Sequence, residues 1–287
     1  VAFAARTRTH AFEPIAMDPA PHRSARLRSE AHVMLSNLSF AECSALLVSS
    51  AGHSAIGTIG SKVSGVCQLS RSIAACSDRA AESVRRNGIN SATAMVPAAL
   101  SRATAKRLGG AHQVLDELLQ MGVAERRHAL TDILIAGAVT YFVAGGADVE
   151  GGLPGLDLIF GIGNHRNPFS HTILLVLSIE ASLRFFAAAA AQLHGRLPES
   201  HDPIWDHALA LYNRTYEAGI VGAWLGTAGH LLNDAGLPWA GVKPMVGLPI
   251  TLSIAGHKAF LAGNSVAAAA LGGLTFLGRR QYTVAGQ

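Results

Sequence analysis

Two short stretches of this chain carry side chains able to do chemistry. The first, Asp148 to Thr172, reads DVEGGLPGLDLIFGIGNHRNPFSHT and holds three acids, two histidines and an arginine. The second, Gly229 to Gly241, reads GHLLNDAGLPWAG and sets His230 four residues before Asp234. Charged and imidazole groups between apolar blocks are costly unless they are exposed, paired or bound to an ion. Residues four apart on a helix share a face, so His230 and Asp234 can serve one ligand or one metal.

Hydrolysis by a bound metal needs fixed oxygen or nitrogen ligands and an open position for water. Asp157, His165, His171, His230 and Asp234 are the expected metal ligands, shared by one ion or divided over more than one, with Asp148 as an additional ligand candidate. Pro168 makes a continuous helix through His165 and His171 unfavourable, so one can approach from a loop and the other from a helix start. Arg166 is the expected clamp for a phosphate or carboxylate, because its planar fork makes two charge-assisted bonds. Glu150 is the expected base. The histidines favour zinc, while the mixed carboxylate and imidazole set also admits manganese or iron.

Each residue has a plainer use. Asp148 and Glu150 can solvate a loop, and Asp157 can cap a helix. His230 with Asp234 can be a local polar pair, and Arg166 can pair with a loop acid. His257, alone in an apolar stretch, reads as a satisfied core or interface residue. In the run from His201 to His207, His201, Asp202, Asp206 and His207 have ligand chemistry, but Asp202 and Pro203 also fit a helix start.

The elements that must position these groups are apolar. Of 287 residues, 49% are hydrophobic and 15% charged, against about 25% charged in an ordinary soluble domain. Alanine and glycine are abundant, aromatics are few, and long alternating β-branched runs are absent. The expected fold is therefore all-α: a multi-helix, membrane-associated bundle preceded by a basic helical region, with an alanine-rich soluble bundle as the alternative. Three parts are expected: a flexible segment over 1–29, a basic helical region with a glycine-rich segment over 30–127, and an apolar helical domain over 128–287 that carries the site.

The N-terminal segment contains Pro14, Pro19 and Pro21 and no continuous apolar run of the kind a secretory signal has. Gly52, Gly57, Gly60 and Gly65 follow a short expected helix from Glu30 to about Ser50. They suit either a close-approach helix zipper or a turn-rich connection, and the connection is favoured because glycine weakens an exposed helix. Residues 51–110 carry eight lysines or arginines against two acids, and residues 111–287 ten against thirteen. The basic half can face anionic lipid or a protein partner. Nucleic acid is not expected, since the basic cluster lacks interleaved aromatics and no nucleic-acid motif is present. The three cysteines have no CxxC spacing, which excludes a structural zinc knuckle or disulfide framework.

Four apolar blocks follow residue 130. Ile133 to Ala147 is short for a span. Thr172 to Leu193 contains Glu180 and Arg184, a pair expected to face protein rather than lipid. Ala218 to Leu232 surrounds His230, and Ala259 to Gly278 is uncharged and ends at Arg279 and Arg280, the best spanning candidate.

Three motifs in this half, LPGLD at Leu153 to Asp157, HRNPFSHT at His165 to Thr172 and HLLNDAGLPWAG at His230 to Gly241, resemble those of the LexA-binding, inner membrane-associated hydrolases, also called membrane-bound metal-dependent hydrolases. The resemblance covers roughly 130–287. It matches Asp157 to the second acid of the family motif, His165 and Arg166 to its HR pair, His171 to its second histidine, and His230 and Asp234 to its late motif. Gly155 stands where the family has its first acid, and Ser170-His171-Thr172 departs from the family order. The resemblance implies a metal hydrolase of a bacterial inner membrane, with its site facing the cytoplasm and phosphoester chemistry on an amphiphilic or membrane-derived substrate.

A second resemblance, to lipid phosphatases of the vanadium-haloperoxidase type, rests on FSHT at Phe169 to Thr172 and on the spacing of His230 and Asp234. It implies His230 as nucleophile with the acid orienting it. The upstream lysine and Arg-Pro motif of that group is missing, and the nearest arginine before His230 is Arg214. A non-enzymatic, membrane-associated interaction protein is a further alternative, as is a toxin or effector whose glycine-rich segment assists delivery of a catalytic C-terminal half.

Overall fold

Segments rich in alanine and leucine, with little β-branched alternation, lose least by becoming helix. The computed structural model of the protein describes residues 20–36, 38–87, 118–146, 152–155, 157, 166–236, 242, 244–246 and 251–284. Among them are six long helices and no strand: α1 (Ala20–Ser36), α2 (Phe40–Asn87), α3 (Val123–Ala144), α4 (Ile173–His194), α5 (Ile204–Asp234) and α6 (Ile254–Val284). The protein is all-α.

Two stretches differ from expectation. Helix α1 starts at Ala20, inside the segment expected to be flexible. Its anchors lie far along the chain: the Arg23 guanidinium donates to both carboxylate oxygens of Asp202, and Glu30 accepts from Asp202 N at 2.9 Å and from Trp205 Nε1 at 2.8 Å. The glycine-rich segment is not a connection either. It lies within α2, which is opened by a capping box in which Ser39 N donates to Glu42 Oε2 at 2.9 Å and Glu42 N to Ser39 Oγ at 3.2 Å. At Gly65 a Cβ would fall 2.2 Å from the Leu274 carbonyl oxygen, so the bare backbone is what lets α2 and α6 touch.

The same device sets the other main contact. A Cβ at Gly222 would lie 2.5 Å from Ala136 O, and one at Gly226 would lie 2.7 Å from Thr140 O. Helices α3 and α5 therefore run side by side, in the same direction, at backbone contact. Thr140 Oγ1 donates across this seam to Gly222 O at 3.2 Å. Trp224, Ile220, Val176, Val143 and Ala268 form the main apolar cluster between α3, α4, α5 and α6.

One charge cluster lies inside the bundle. Glu180 is fully buried and accepts from Lys62 Nζ at 2.6 Å, Arg184 Nε at 3.1 Å and Trp224 Nε1 at 2.7 Å. The Glu180–Arg184 pair forms, as its spacing predicts, and faces protein. Outward, the helices carry large exposed apolar side chains, among them Leu47 and Ile56 on α2, Phe142 on α3, Phe186 on α4 and Val266 on α6. Two helical segments, Ile173–His194 and Ile254–Leu277, are long and apolar enough to cross a membrane.

Candidate metal centre

Three helix ends meet beside Asn264 and Ser265 of α6: the N-terminus of α4 and the C-termini of α3 and α5. The N-terminus of α4 is fixed by Thr172, whose hydroxyl accepts from Leu174 N at 3.2 Å. Asn264 on α6 accepts from Ile173 N at 3.3 Å, and Ser265 on α6 donates to Ala228 O of α5 at 2.7 Å. These bonds hold the residue before Thr172 against the last turn of α5. That residue is His171, and it is completely buried.

His171 Nε2, His230 Nε2 and Asp234 Oδ2 form a triangle with all three edges 3.4 Å long. Both histidines and the aspartate are almost wholly excluded from solvent. The edges are too long for good hydrogen bonds, which cluster at about 2.7–3.2 Å. Three ligands standing about 2.0–2.1 Å from a tetrahedral ion lie roughly 3.3–3.4 Å from one another. The triangle has the dimensions of one face of such a coordination shell.

The far nitrogens agree with this. His230 Nδ1 lies 3.2 Å from the Ala144 carbonyl at the end of α3, an acceptor that requires the Nδ1–H form. A neutral His230 therefore presents a bare Nε2 lone pair to the Asp234 oxygen, a repulsive contact unless a cation intervenes. His171 Nδ1 lies 2.8 Å from Ser170 Oγ and 3.4 Å from Asp157 Oδ2, which points its Nε2 into the triangle. Hydroxyl, carboxylate and carbonyl groups behind imidazoles are the arrangement that orients metal-binding histidines. Burial pushes the Asp234 carboxyl up, but the neighbouring His230, His171 and Arg166 side chains outweigh this and hold it below the ordinary carboxylate value.

The expected ligands are thus distributed unevenly. His171, His230 and Asp234 converge. Asp157 lies on the Nδ1 side of His171, away from the triangle, where its Oδ2 accepts from Ser170 Oγ at 2.5 Å and Arg166 N at 2.8 Å. Arg166 sits at the rim with Nε 4.0 Å from Asp234 Oδ2, its side chain 19% exposed. Its φ of 59° is a left-handed conformation that a non-glycine residue adopts at some cost. The bond to Asp157 and the acceptance of Val246 N by Arg166 O, at 3.1 Å, hold it there. His165, Asp148 and Glu150 fall outside the described residues. His257 is half-buried, not in the core, and its ring is satisfied by accepting from Met245 N at 3.3 Å.

Sequence reasoning missed Ser170 and Asn167. Asn167 Oδ1 accepts from Phe169 N and Ser170 N, forming the turn that delivers Ser170 to Asp157 and His171. The Asn-Pro dipeptide at 167–168 is the signal that could have found it. No family model, curated protein or solved structure matches this chain.

Proposed function

We propose that this protein is a metal-dependent hydrolase seated at a membrane, acting on a phosphoester of an amphiphilic substrate. The observation that carries the reading is the buried triangle of His171 Nε2, His230 Nε2 and Asp234 Oδ2 with 3.4 Å edges. Two imidazoles and one carboxylate suit zinc first, with manganese or iron as alternatives. A metal held by three protein groups supplies Lewis acidity and lowers the pKa of water at its open position.

The chain's own residues do the rest. His171 and His230 present Nε2 because Ser170 and Asp157 on one side, and Ala144 O on the other, occupy Nδ1. Asp234 supplies the negative charge that balances the ion. Arg166 would hold a phosphoester oxygen and the charge that develops on it; its position at the rim, 19% exposed, supports this. An apolar groove of about 350 Å³ between α2 and α4, lined by Ala55, Ile59, Phe169, Leu174, Leu177 and Ala181, suits an acyl chain. It begins at Phe169, two residues before His171. The two span-length helices and the exposed apolar side chains support a membrane setting.

Histidine nucleophilic catalysis fits less well. A nucleophilic imidazole is oriented by an acid on its far nitrogen. Here Asp234 approaches Nε2 of His230, the same nitrogen that faces the centre of the triangle, while Nδ1 is held by a carbonyl.

The test is metal content and turnover of the full chain in detergent. Purified protein, supplied with zinc, is expected to hold metal at this centre and to release phosphate from an amphiphilic phosphoester in mixed micelles. His171→Ala is expected to lose that metal and the turnover together. Folded protein whose metal content is unchanged by His171→Ala and by Asp234→Asn would overturn the reading.

A further inference from the structure

At the opposite end of α4, about 30 Å away by the rise of a 22-residue helix, a second group of the same composition is assembled. His194 is the last residue of α4, His201 lies in the α4–α5 turn, and Asp206 is in the first turn of α5. Asp206 Oδ1 lies 2.9 Å from His194 Nε2 and 3.0 Å from His201 Nε2, and the two imidazole rings cross at 85° with centroids 5.2 Å apart. One ligand atom from each residue lies within 4.8 Å of the others.

We propose that His194, His201 and Asp206 form a second divalent-metal site, a zinc clip that pins the α4–α5 turn. His201 Nδ1 stands 2.7 Å from the Pro198 carbonyl, which only accepts, so the proton of a neutral His201 is at Nδ1. Its Nε2 lies at hydrogen-bond distance, 3.0 Å, from a carboxylate oxygen, so positive charge, a proton or a metal ion, stands between the two. His194 Nε2 is buried and, although 2.9 Å from Asp206 Oδ1, makes no hydrogen bond to it. Both contacts are at hydrogen-bond length, shorter than the separation of two ligands of one ion, so a bound ion would draw the nitrogens and the oxygen a few tenths of an ångström apart. The nearby cations do not fill the gap: Arg23 is engaged by Asp202, and Arg26 by Glu30 and the Ser200 carbonyl. The Asp206 side chain is 57% exposed, so a bound ion keeps positions open to water. Two imidazoles with one carboxylate select zinc and its first-row neighbours over magnesium or calcium.

The rival is a proton, giving an imidazolium–carboxylate pair in place of a metal. The two differ in what zinc does at fixed pH. Full-length His171→Ala protein in detergent, stripped with chelator, is titrated with zinc, and with cobalt(II) as a visible probe of tetrahedral coordination. One metal equivalent is expected to bind, and zinc is expected to slow proteolysis within 195–203. Adding Asp206→Asn, an exposed and nearly isosteric change, or His201→Ala is expected to abolish both effects. Where His171→Ala does not fold, as judged by circular dichroism, Asp206→Asn alone is expected to remove one equivalent from the wild-type complement. Zinc binding and protection that are absent, or that survive both Asp206→Asn and His201→Ala, would overturn the second site without touching the first.

Discussion

His171 Nε2 and His230 Nε2 face each other at 3.4 Å, with Asp234 Oδ2 at the same distance from each. The neutral His230 tautomer that donates Nδ1–H to Ala144 O turns the lone pair of its inward nitrogen toward the other two atoms. A cation at the centre turns this mutual repulsion into shared attraction. Removing metal with a chelator is therefore expected to lower the melting temperature, and zinc to restore it. At a free zinc concentration a hundred times Kd the stabilisation is about 2.7 kcal/mol. Measured in an Asp206→Asn background, the chelator effect is expected to vanish in His230→Ala.

Asp157 acts through His171. It is expected to set ring orientation and basicity, so Asp157→Asn should weaken metal binding by roughly 10–100-fold while leaving the helical content intact. Zinc titration with a competing chelator reads this directly. An unchanged affinity would remove Asp157 from the site.

Glu180 balances Lys62 and Arg184 in the interior. Glu180→Leu leaves two buried cations without their common acceptor and is expected to cost about 3–5 kcal/mol. Lys62→Met is expected to cost less, because Arg184 and Trp224 still satisfy the carboxylate. Thermal unfolding of the two variants in the same detergent gives the ranking.

Gly226 sets the distance between α3 and α5. Gly226→Ala puts a methyl 2.7 Å from a backbone carbonyl and is expected to destabilise by about 1–3 kcal/mol. It should also weaken metal binding, because it moves Ala144 O relative to His230. Gly263→Ala on α6, where a Cβ meets nothing within 4 Å, is the control and is expected to be neutral or stabilising by about 0.5–1 kcal/mol.

Helix α1 is held by two carboxylates. Burial pushes Glu30 up, but bonds from Arg26, Trp205 and Asp202 N outweigh it; the Arg23 bond pulls Asp202 down against its burial. Both groups therefore sit below their ordinary values when α1 is docked. Their contribution is complete above the ordinary carboxylate pKa of about 4 and is lost as pH falls through the depressed values. Hydrogen exchange in α1, corrected for intrinsic rates, is expected to accelerate over that window. In Arg23→Gln the Asp202 pKa returns toward normal and release should begin at higher pH.

Much of the local organisation was legible in the chain. Helical spacing put His230 and Asp234 on one face, and the pairing of Glu180 with Arg184 followed from the same period. Pro168 marked the break that delivers His171 at the head of α4. Glycine was misread within α2, because its intrinsic cost in a water-exposed helix says nothing about a partner helix. Leu274, more than two hundred residues further on, is what makes Gly65 favourable.

By itself the sequence determined residue chemistry, helical class and the short-range geometry that a fixed period imposes. Only the tertiary structure decided which distant groups share a centre: His171 with His230, Lys62 with Glu180, Arg23 with Asp202. It also separated Asp157, behind an imidazole, from the three atoms that face one another. The physical reason is that periodicity propagates along one helix, whereas convergence depends on how closely two backbones can approach. That distance is fixed here by the missing Cβ atoms of Gly65, Gly222 and Gly226 and the surfaces they meet.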